Sequence, residues 1–247
     1  MSFRPCVIIP VYDNPNTIRA VVEAVREKLP DVVVVDDGSA QDCRDRVEAI
    51  GREALARVVR RPANGGKGAA VKTGFQAALD LGYTHALQVD ADGQHDLGDL
   101  HRFLSVAREN PTALVLGYPV FDETVPRGRL IGRQITIFWT RLETFGRSIT
   151  DPMCGYRVYP LAAALEACRG TGDHMEFDIE IAVRMLWGGA KIVNLPTSVR
   201  YFRKDQGGVS HFHMWKDNCR ISWCHTRLVT LAILRALAWP FRRLMRR

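Results

Sequence analysis

Residues 86–95 read Ala86-Leu87-Gln88-Val89-Asp90-Ala91-Asp92-Gly93-Gln94-His95, an apolar run that ends in two carboxylates one residue apart. The run reads as a buried strand. In an extended chain the side chains at i and i+2 point the same way, so Asp90 and Asp92 can converge on one cation. Ala91 is small, and Gly93 lets the chain turn away. Carboxylate oxygens suit hard Mg²⁺ or Mn²⁺, which hold one or two carboxylates together with substrate phosphates. Two loop aspartates can instead close Asx turns. Placement at the carboxyl end of a central strand favours the cation.

Upstream, strand and helix alternate. Val7-Ile8-Ile9 is a short apolar run, read as a first strand. Asn14 before Pro15 then predicts a helix start, with Asn as N-cap and Pro at the first helical position. Ile18, Val21, Val22, Val25 and Leu29 follow at helical spacing. Val32 to Val35, four β-branched residues in a row, predict a second strand covered on both faces. A charged helix over 41–55, a strand at Val58-Val59 and a helix over 67–81 lead back to the carboxylate pair. This alternation predicts an α/β fold with a doubly wound, mostly parallel sheet. Downstream the reading is a helix over 97–109, a strand over 113–116, helices over 130–145 and 179–187, an edge strand over 191–195, and helix from about 214 onward.

Other strand ends carry chemistry. Asp36-Asp37-Gly38-Ser39 follows the second strand. Adjacent side chains diverge, so one carboxylate can accept from a base or ribose while the other anchors the loop or caps a helix. Pro10-Val11-Tyr12-Asp13-Asn14 ends the first strand, where an aromatic can stack on a planar base. Ligands of doubly wound sheets sit beyond the carboxyl ends of strands where strand order reverses. Tyr12 and Asp90 end the two strands expected to flank that crevice, which places Asp90 and Ala91 beside the nucleotide as well. Asn64-Gly65-Gly66-Lys67-Gly68 precedes a helix and offers backbone N–H groups and a cation, a phosphate cradle or a capping turn. It is no Walker A loop, because Lys67 is followed by Gly68 and Arg61 stands at the leading glycine position. It fails G-x-G-x-x-G because Val71 stands at the last.

Charge and cysteines set the context. The net charge is +7, and the seven Arg residues after Asp217 (220, 227, 235, 242, 243, 246 and 247) account for all of it. The rest is balanced, which argues against nucleic acid as partner and for a tail that meets an anionic surface. The apolar run from Leu228 to Phe241 has fourteen residues broken by Arg235 and Pro240. A spanning helix needs roughly 20, so the tail is expected to lie in the headgroup region or to pack on the domain. No apolar stretch follows a basic start, so no signal peptide is read. The six cysteines are expected to be reduced packing residues.

Taken together, the motifs resemble inverting family 2 glycosyltransferases of the GT-A fold, near the dolichol- or polyprenyl-phosphate mannose synthase-like branch. The matching stretches are residues 8–14, 34–39, 64–68 and 89–95, then Asp151-Pro152-Met153-Cys154-Gly155-Tyr156-Arg157, Met175-Glu176-Phe177-Asp178-Ile179-Glu180 and Gly208-Val209-Ser210-His211-Phe212. The resemblance implies a Rossmann-like nucleotide-sugar half over about 1–95, an acceptor half over about 96–213, and a basic amphipathic helical tail over 214–247. It implies that Pro10, Tyr12, Asn14 and Asp37 line the nucleoside pocket. Asp90, Asp92 and Gln94 would hold Mg²⁺ or Mn²⁺ on the donor diphosphate. Tyr156 and Arg157 would lie near the acceptor or leaving phosphate, and Ser210, His211 and His213 in a segment that closes over donor or acceptor. The implied reaction moves a sugar from a UDP- or GDP-sugar to a lipid-linked or membrane-proximal acceptor, with inversion, by a peripheral enzyme on the cytoplasmic face of the membrane. A hydroxyl acceptor needs a base, whereas a lipid phosphate is already anionic. Among Glu176, Asp178 and Glu180, the choices for a base are Asp178 and Glu176. The tail departs from branch members that carry paired spanning helices. The competing readings are a nucleotidyltransferase acting on sugar phosphates, which lacks its glycine loop here, and a non-catalytic sugar-nucleotide-binding membrane scaffold, which does not need intact carboxylates. Cys219, Cys224 and His225 near the two histidines fit no common zinc spacing.

Overall fold

The structure is a computed structural model and describes residues 2–121, 125, 127–146, 148–200 and 211–244. Its elements run β1 (Pro5–Val11), α1 (Ile18–Arg26), β2 (Val32–Asp36), α2 (Gln41–Arg52), β3 (Arg57–Arg60), α3 (Lys67–Asp80) and β4 (His85–Gln88). A 3₁₀ turn then leads into α4 (Leu100–Glu109), β5 (Leu114–Phe121), α5 (Arg127–Glu143), β6 (Arg157–Pro160), α6 (Leu161–Ala167), α7 (Phe177–Trp187), β7 (Ile192–Val199) and α8 (Met214–Leu244). The sheet order is β3-β2-β1-β4-β6-β5-β7, with β6 antiparallel to both neighbours and the other pairings parallel. The expected doubly wound, mostly parallel α/β sheet is therefore present.

Strand alternation divides the core into two layers. Cys6, Ile8, Val33 and Val35 face α3, α6 and α7, while Val7, Ile9, Val32 and Val34 face α1, α2 and α4. That double burial is why Val32 to Val35 has no polar face. All six cysteines are free and only Cys219 is exposed. Burial pushes the Cys6 and Cys154 thiols up to about 12, as inert packing groups require.

Several boundaries differ from expectation. Helix α1 begins at Ile18, one turn after Asn14-Pro15. The Asn14 side chain donates to Tyr12 O (2.8 Å) and so closes the loop. Thr17, at the N-cap position, donates its hydroxyl to Ala91 O (2.6 Å). Strand β6 and helix α6 have no counterpart in the sequence reading, because a four-residue strand that begins with Arg and ends with Pro carries no apolar run. Strand β7 is an edge strand as expected but continues to Val199, in register with β5 throughout. The tail helix packs on the body. Ile221, Cys224 and Leu228 belong to the core. Arg220 pairs with Asp217 (3.2 Å), Arg227 pairs with Glu180, and Arg235 lies over the Trp187 ring (5.0 Å). Three of the seven tail arginines are thus engaged with protein. Among the described residues no helix is long and apolar enough to cross a membrane.

Two stability tests follow from this packing. A Cβ on Gly74 of α3 would lie 2.5 Å from Cγ2 of Ile8, a stiff β-branched side chain on the central strand. Gly74→Ala gains about 1 kcal/mol of helix propensity but overpacks the core by about 1–3 kcal/mol. Net destabilisation is expected in urea melts, and a stabilised variant would show that α3 shifts freely. His85 is buried, with Nε2 2.9 Å from Pro111 O, and burial holds its imidazole below the ordinary range. The unfolded chain therefore binds the extra proton first, and stability falls as pH drops below about 6.5. His85→Gln should flatten the fall in Tm between neutral pH and mild acid. An unchanged slope would rule His85 out as its source.

Candidate active site

The order of the sheet reverses between β1 and β4, and the loops beyond their carboxyl ends meet there. Asp13 sits in the left-handed region (φ 48°). Its Oδ1 accepts from Ala40 N (2.7 Å) and its N–H donates to Ser39 Oγ (3.1 Å), which fastens the loop after β1 to the loop after β2. Pro10 is buried at the end of β1. The Tyr12 ring meets the His211 ring edge-on at 5.2 Å, and Asn14 Nδ2 lies 3.5 Å from His211 Nε2. His211 is therefore brought to Tyr12 and Asn14 from the far end of the chain. His213 is exposed at the start of α8, where its N–H donates to Asp217 Oδ2 (2.7 Å). Ser210 lies outside the described residues.

The adjacent aspartates diverge as expected, and both are buried. Asp36 accepts from Ser39 N (2.9 Å) and pairs with Arg60 (3.2 Å). Asp37 accepts from Gly65 N (3.1 Å) and Gly66 N (2.8 Å) and pairs with Arg61 (3.1 Å). This corrects the picture of residues 64–68 as an open phosphate cradle. The Gly65 and Gly66 N–H groups are already spent on Asp37, and Gly68 packs so closely on Phe177 that a Cβ there would lie 2.5 Å from Phe177 Cβ.

Lys67 is the centre of the site. Its Nζ lies 2.9 Å from both oxygens of Asp90 and 2.9 Å from Asp178 Oδ2. Burial pulls the Lys67 ammonium down, but the Asp178 and Asp90 carboxylates outweigh it and hold it above the usual lysine range. Burial likewise pushes Asp90 up, and Lys67 with His95, whose Nε2 is 3.8 Å away, more than reverses that and holds its carboxyl well below the usual range. Among the described residues Asp92 has no such partner. Burial and the Asp90 charge push its carboxyl up, while Oδ1 accepts from Gln94 N (3.0 Å). Gln94 is partly buried, and its carbonyl accepts from Arg200 N (3.0 Å).

Asp92, pushed up beside the Asp90 charge, leaves room at this centre for a hard divalent cation alongside Lys67. Among the described residues no three His, Cys, Asp or Glu side chains gather into a metal-ligating group. Asp90 and Asp92 could then hold Mg²⁺ or Mn²⁺ only with substrate phosphates or water completing the shell, as is usual for Mg²⁺.

Of the acidic residues at the start of α7, Asp178 alone reaches this centre. Glu176 accepts from His174 N (3.3 Å) and lies against Gly172. Glu180 is fully buried between Arg184 (2.7 Å) and Arg227. Tyr156 and Arg157, expected near the acceptor or leaving phosphate, are fully buried beneath the loops of the site. Arg157 donates to Cys154 O (2.5 Å), Pro152 O (2.6 Å) and Asp178 O (2.6 Å), and so ties the 152–155 loop to α7. The Tyr156 ring packs on Phe103 (4.8 Å) and His95 (5.3 Å). The sequence reading assigned no role to Asp151 or Gly155. Asp151 Oδ1 accepts from Met153 N (2.8 Å) and Cys154 N (3.1 Å), and Asp151 pairs with Arg133. A Cβ on Gly155 would lie 2.3 Å from Asp90 Oδ2, so the backbone itself is the wall beside the carboxylate. The glycine at the middle of that motif was the available signal.

A family model described as glycosyl transferase family 2 matches residues 6–163, a span that holds β1, the Lys67 loop, both carboxylates and Gly155. The chain belongs to glycosyl transferase family 2. As a family 2 member it is a glycosyltransferase, and its fold is that of the GT-A enzymes. It is 30% identical to the polyprenol monophosphomannose synthase of Mycolicibacterium smegmatis over 84% of this chain and 80% of that one. It is 29% identical to the undecaprenyl-phosphate mannosyltransferase of Micrococcus luteus over 78% and 82%. The crystal structure of glucosyl-3-phosphoglycerate synthase from Mycobacterium tuberculosis with Mn²⁺, UDP and phosphoglyceric acid shares the fold (TM-score 0.66, 17% identity, 94% of this chain and 78% of that one).

Removing the central ammonium should leave this family 2 site with two carboxylates, Asp178 buried and Asp90 partly so, that keep only their longer contacts to Arg157 (3.9 Å) and His95 (3.8 Å). Lys67→Met is expected to cost about 3 kcal/mol at neutral pH. Millimolar Mn²⁺ should raise the Tm of the variant more than that of the parent, because the cation replaces the lost charge. Equal Mn²⁺ shifts in both proteins would show that Asp90 does not take part in cation binding.

Proposed function

We propose that the chain transfers a sugar from a UDP- or GDP-sugar to a polyprenyl or dolichyl phosphate, with inversion, at the cytoplasmic face of a membrane. The relatives named for polyprenol- and undecaprenyl-phosphate mannosyl transfer support the acceptor class. The observation that carries the reading is the state of the candidate bases. Asp178 is held between Lys67 (2.9 Å) and Arg157 (3.9 Å), and Glu176 closes its own loop. Both oxygens of Asp178 are thereby engaged inside the protein, Oδ2 with Lys67 and Oδ1 with Arg157 and Gln88, rather than open to an incoming hydroxyl. The arrangement therefore suits an acceptor whose oxygen is already ionised, which a phosphate supplies and a hydroxyl does not.

In this reading Tyr12, Asn14 and His211 border the nucleoside, with Asp36 and Asp37 bracing the loops behind it. Asp90 and Asp92 would hold Mg²⁺ or Mn²⁺, which when bound neutralises charge growing on the departing diphosphate. Lys67 adds a second, fixed positive charge at the same place. Asp178 and Arg157 keep that ammonium aimed, so little reorganisation is needed as charge develops. The nucleotidyltransferase and scaffold readings draw no support from the family match.

Incubating the purified chain with a panel of labelled UDP- and GDP-sugars and either polyprenyl phosphate or the free polyprenol tests the reading. Label should enter the organic phase with the phosphate only. It should disappear on chelation with EDTA and fall about a hundredfold or more in Asp90→Asn. Equal transfer to the free alcohol would defeat the argument from the bases.

A further inference from the structure

Three oxygens share one ammonium. A lysine ammonium has three donors and no acceptor. Nζ of Lys67 lies 2.9 Å from Oδ1 and 2.9 Å from Oδ2 of Asp90, and 2.9 Å from Oδ2 of Asp178. Both oxygens of Asp90 therefore already face a positive charge. The two carboxylates differ in their surroundings. The Asp90 side chain is 23% exposed. That of Asp178 is 6% exposed, with Oδ1 turned to Arg157 (3.9 Å) and to Gln88 Nε2 (3.5 Å).

Asp90 has nowhere to turn away from the ammonium. The backbone at Gly155 walls it on one side, since a Cβ there would lie 2.3 Å from Oδ2 and 2.8 Å from Oδ1. His95 Nε2 stands 3.8 Å from Oδ2. A divalent ion that enters on Asp90 must take an oxygen that Lys67 now holds. The part free to give way is the lysine, a compact charge on a flexible four-carbon stem. The formal charges point the same way. Asp90, Asp92 and Asp178 share this centre with Lys67 and Arg157. A divalent ion alone would turn its excess of negative charge into an excess of positive charge, which a partly buried site resists far more than water does. A diphosphate that arrives with the ion restores the balance. It also offers oxygens to the donors that Asp90 releases.

We propose that Lys67 keeps a divalent cation off Asp90 until a nucleoside diphosphate arrives with it, and that Asp178 is the positioning residue that retains the ammonium when Asp90 passes to the cation. In the resting protein the ammonium stands in for the metal. On binding, it exchanges Asp90 for the diphosphate while Asp178, braced by Arg157 and Gln88, keeps its place. Cation and donor thus enter as one unit. The inference rests on the reading of Asp90 as a cation ligand, and the two are tested apart.

The test is Mn²⁺ binding to the full chain, followed by the paramagnetic resonance of the free ion, without turnover. Lys67→Met should bind Mn²⁺ alone about tenfold or more tighter than the wild type. With Mn²⁺ present, the better bound of UDP and GDP should bind the same variant more weakly, because the ammonium then meets the diphosphate. A variant that had merely lost structure would bind both more weakly. Asp178→Asn leaves the ammonium to Asp90 and should weaken Mn²⁺ binding about threefold or more. This variant keeps the pair of Lys67 with Asp90, so it serves should Lys67→Met melt early. In the Lys67→Met background the same change should matter little. Lys67→Met with no gain in Mn²⁺ affinity, or Asp178→Asn with wild-type affinity, would overturn the inference. So would an equal loss from Asp178→Asn with and without Lys67. Mn²⁺ binding that survives Asp90→Asn would remove the cation reading itself, and the inference with it.

Discussion

One ammonium group between two carboxylates organises this protein. Lys67 comes from the start of α3, Asp90 from the turn after β4 and Asp178 from α7, so a single ion pair network joins three segments far apart in sequence. Each partner is buried enough that leaving it alone would cost several kcal/mol. The network thereby fixes how α7 sits against the carboxyl end of β4. Arg157 adds a second layer by holding Asp178 and the 152–155 loop together. In the proposed reaction this scaffold would hold Asp90 and Lys67 in place beforehand, which is what electrostatic catalysis requires.

Much of the fold was legible because its signals are local. Val32 to Val35 reads as a doubly covered strand from four residues, whereas Asp90 and Asp92 lie past the end of β4, with 91–93 in a turn, and not in the extended chain from which their convergence was argued. The order of β1 and β4 at the reversal point followed from alternation alone. What escaped has a physical reason in each case. β6 is antiparallel, four residues long and built around a buried Arg, so it lacks the periodicity that marks a strand. Asn14 and Pro15 carry a helix-start pattern, yet the Asn amide is used to close the loop over Tyr12.

The site shows the same division. Residue types and spacing named Lys67 and Asp90, and the family resemblance added Asp178, but neither could show that the three touch. Tyr156 and Arg157 are conspicuous in sequence because they are large and polar. In the fold their bulk supports the site from behind. Gly155 and Asp151 have little to advertise themselves, and their importance lies in how near the backbone comes to Asp90. Distances between remote segments are what a linear pattern does not contain.

The fit of α8 into the body has a consequence for biosynthesis. Glu180 is fully enclosed and has Arg227 as one of its two cations, while Glu143 is enclosed and answered by His225. Helix α8 leaves the ribosome after every other described element. Until it emerges, Glu143 lacks His225, Glu180 keeps only Arg184, and the apolar floor made with Ile221, Cys224 and Leu228 stays open. A nascent chain in that state holds an unfinished, charged seam that water must fill. Completion of the body thus waits in translation on the arrival of α8.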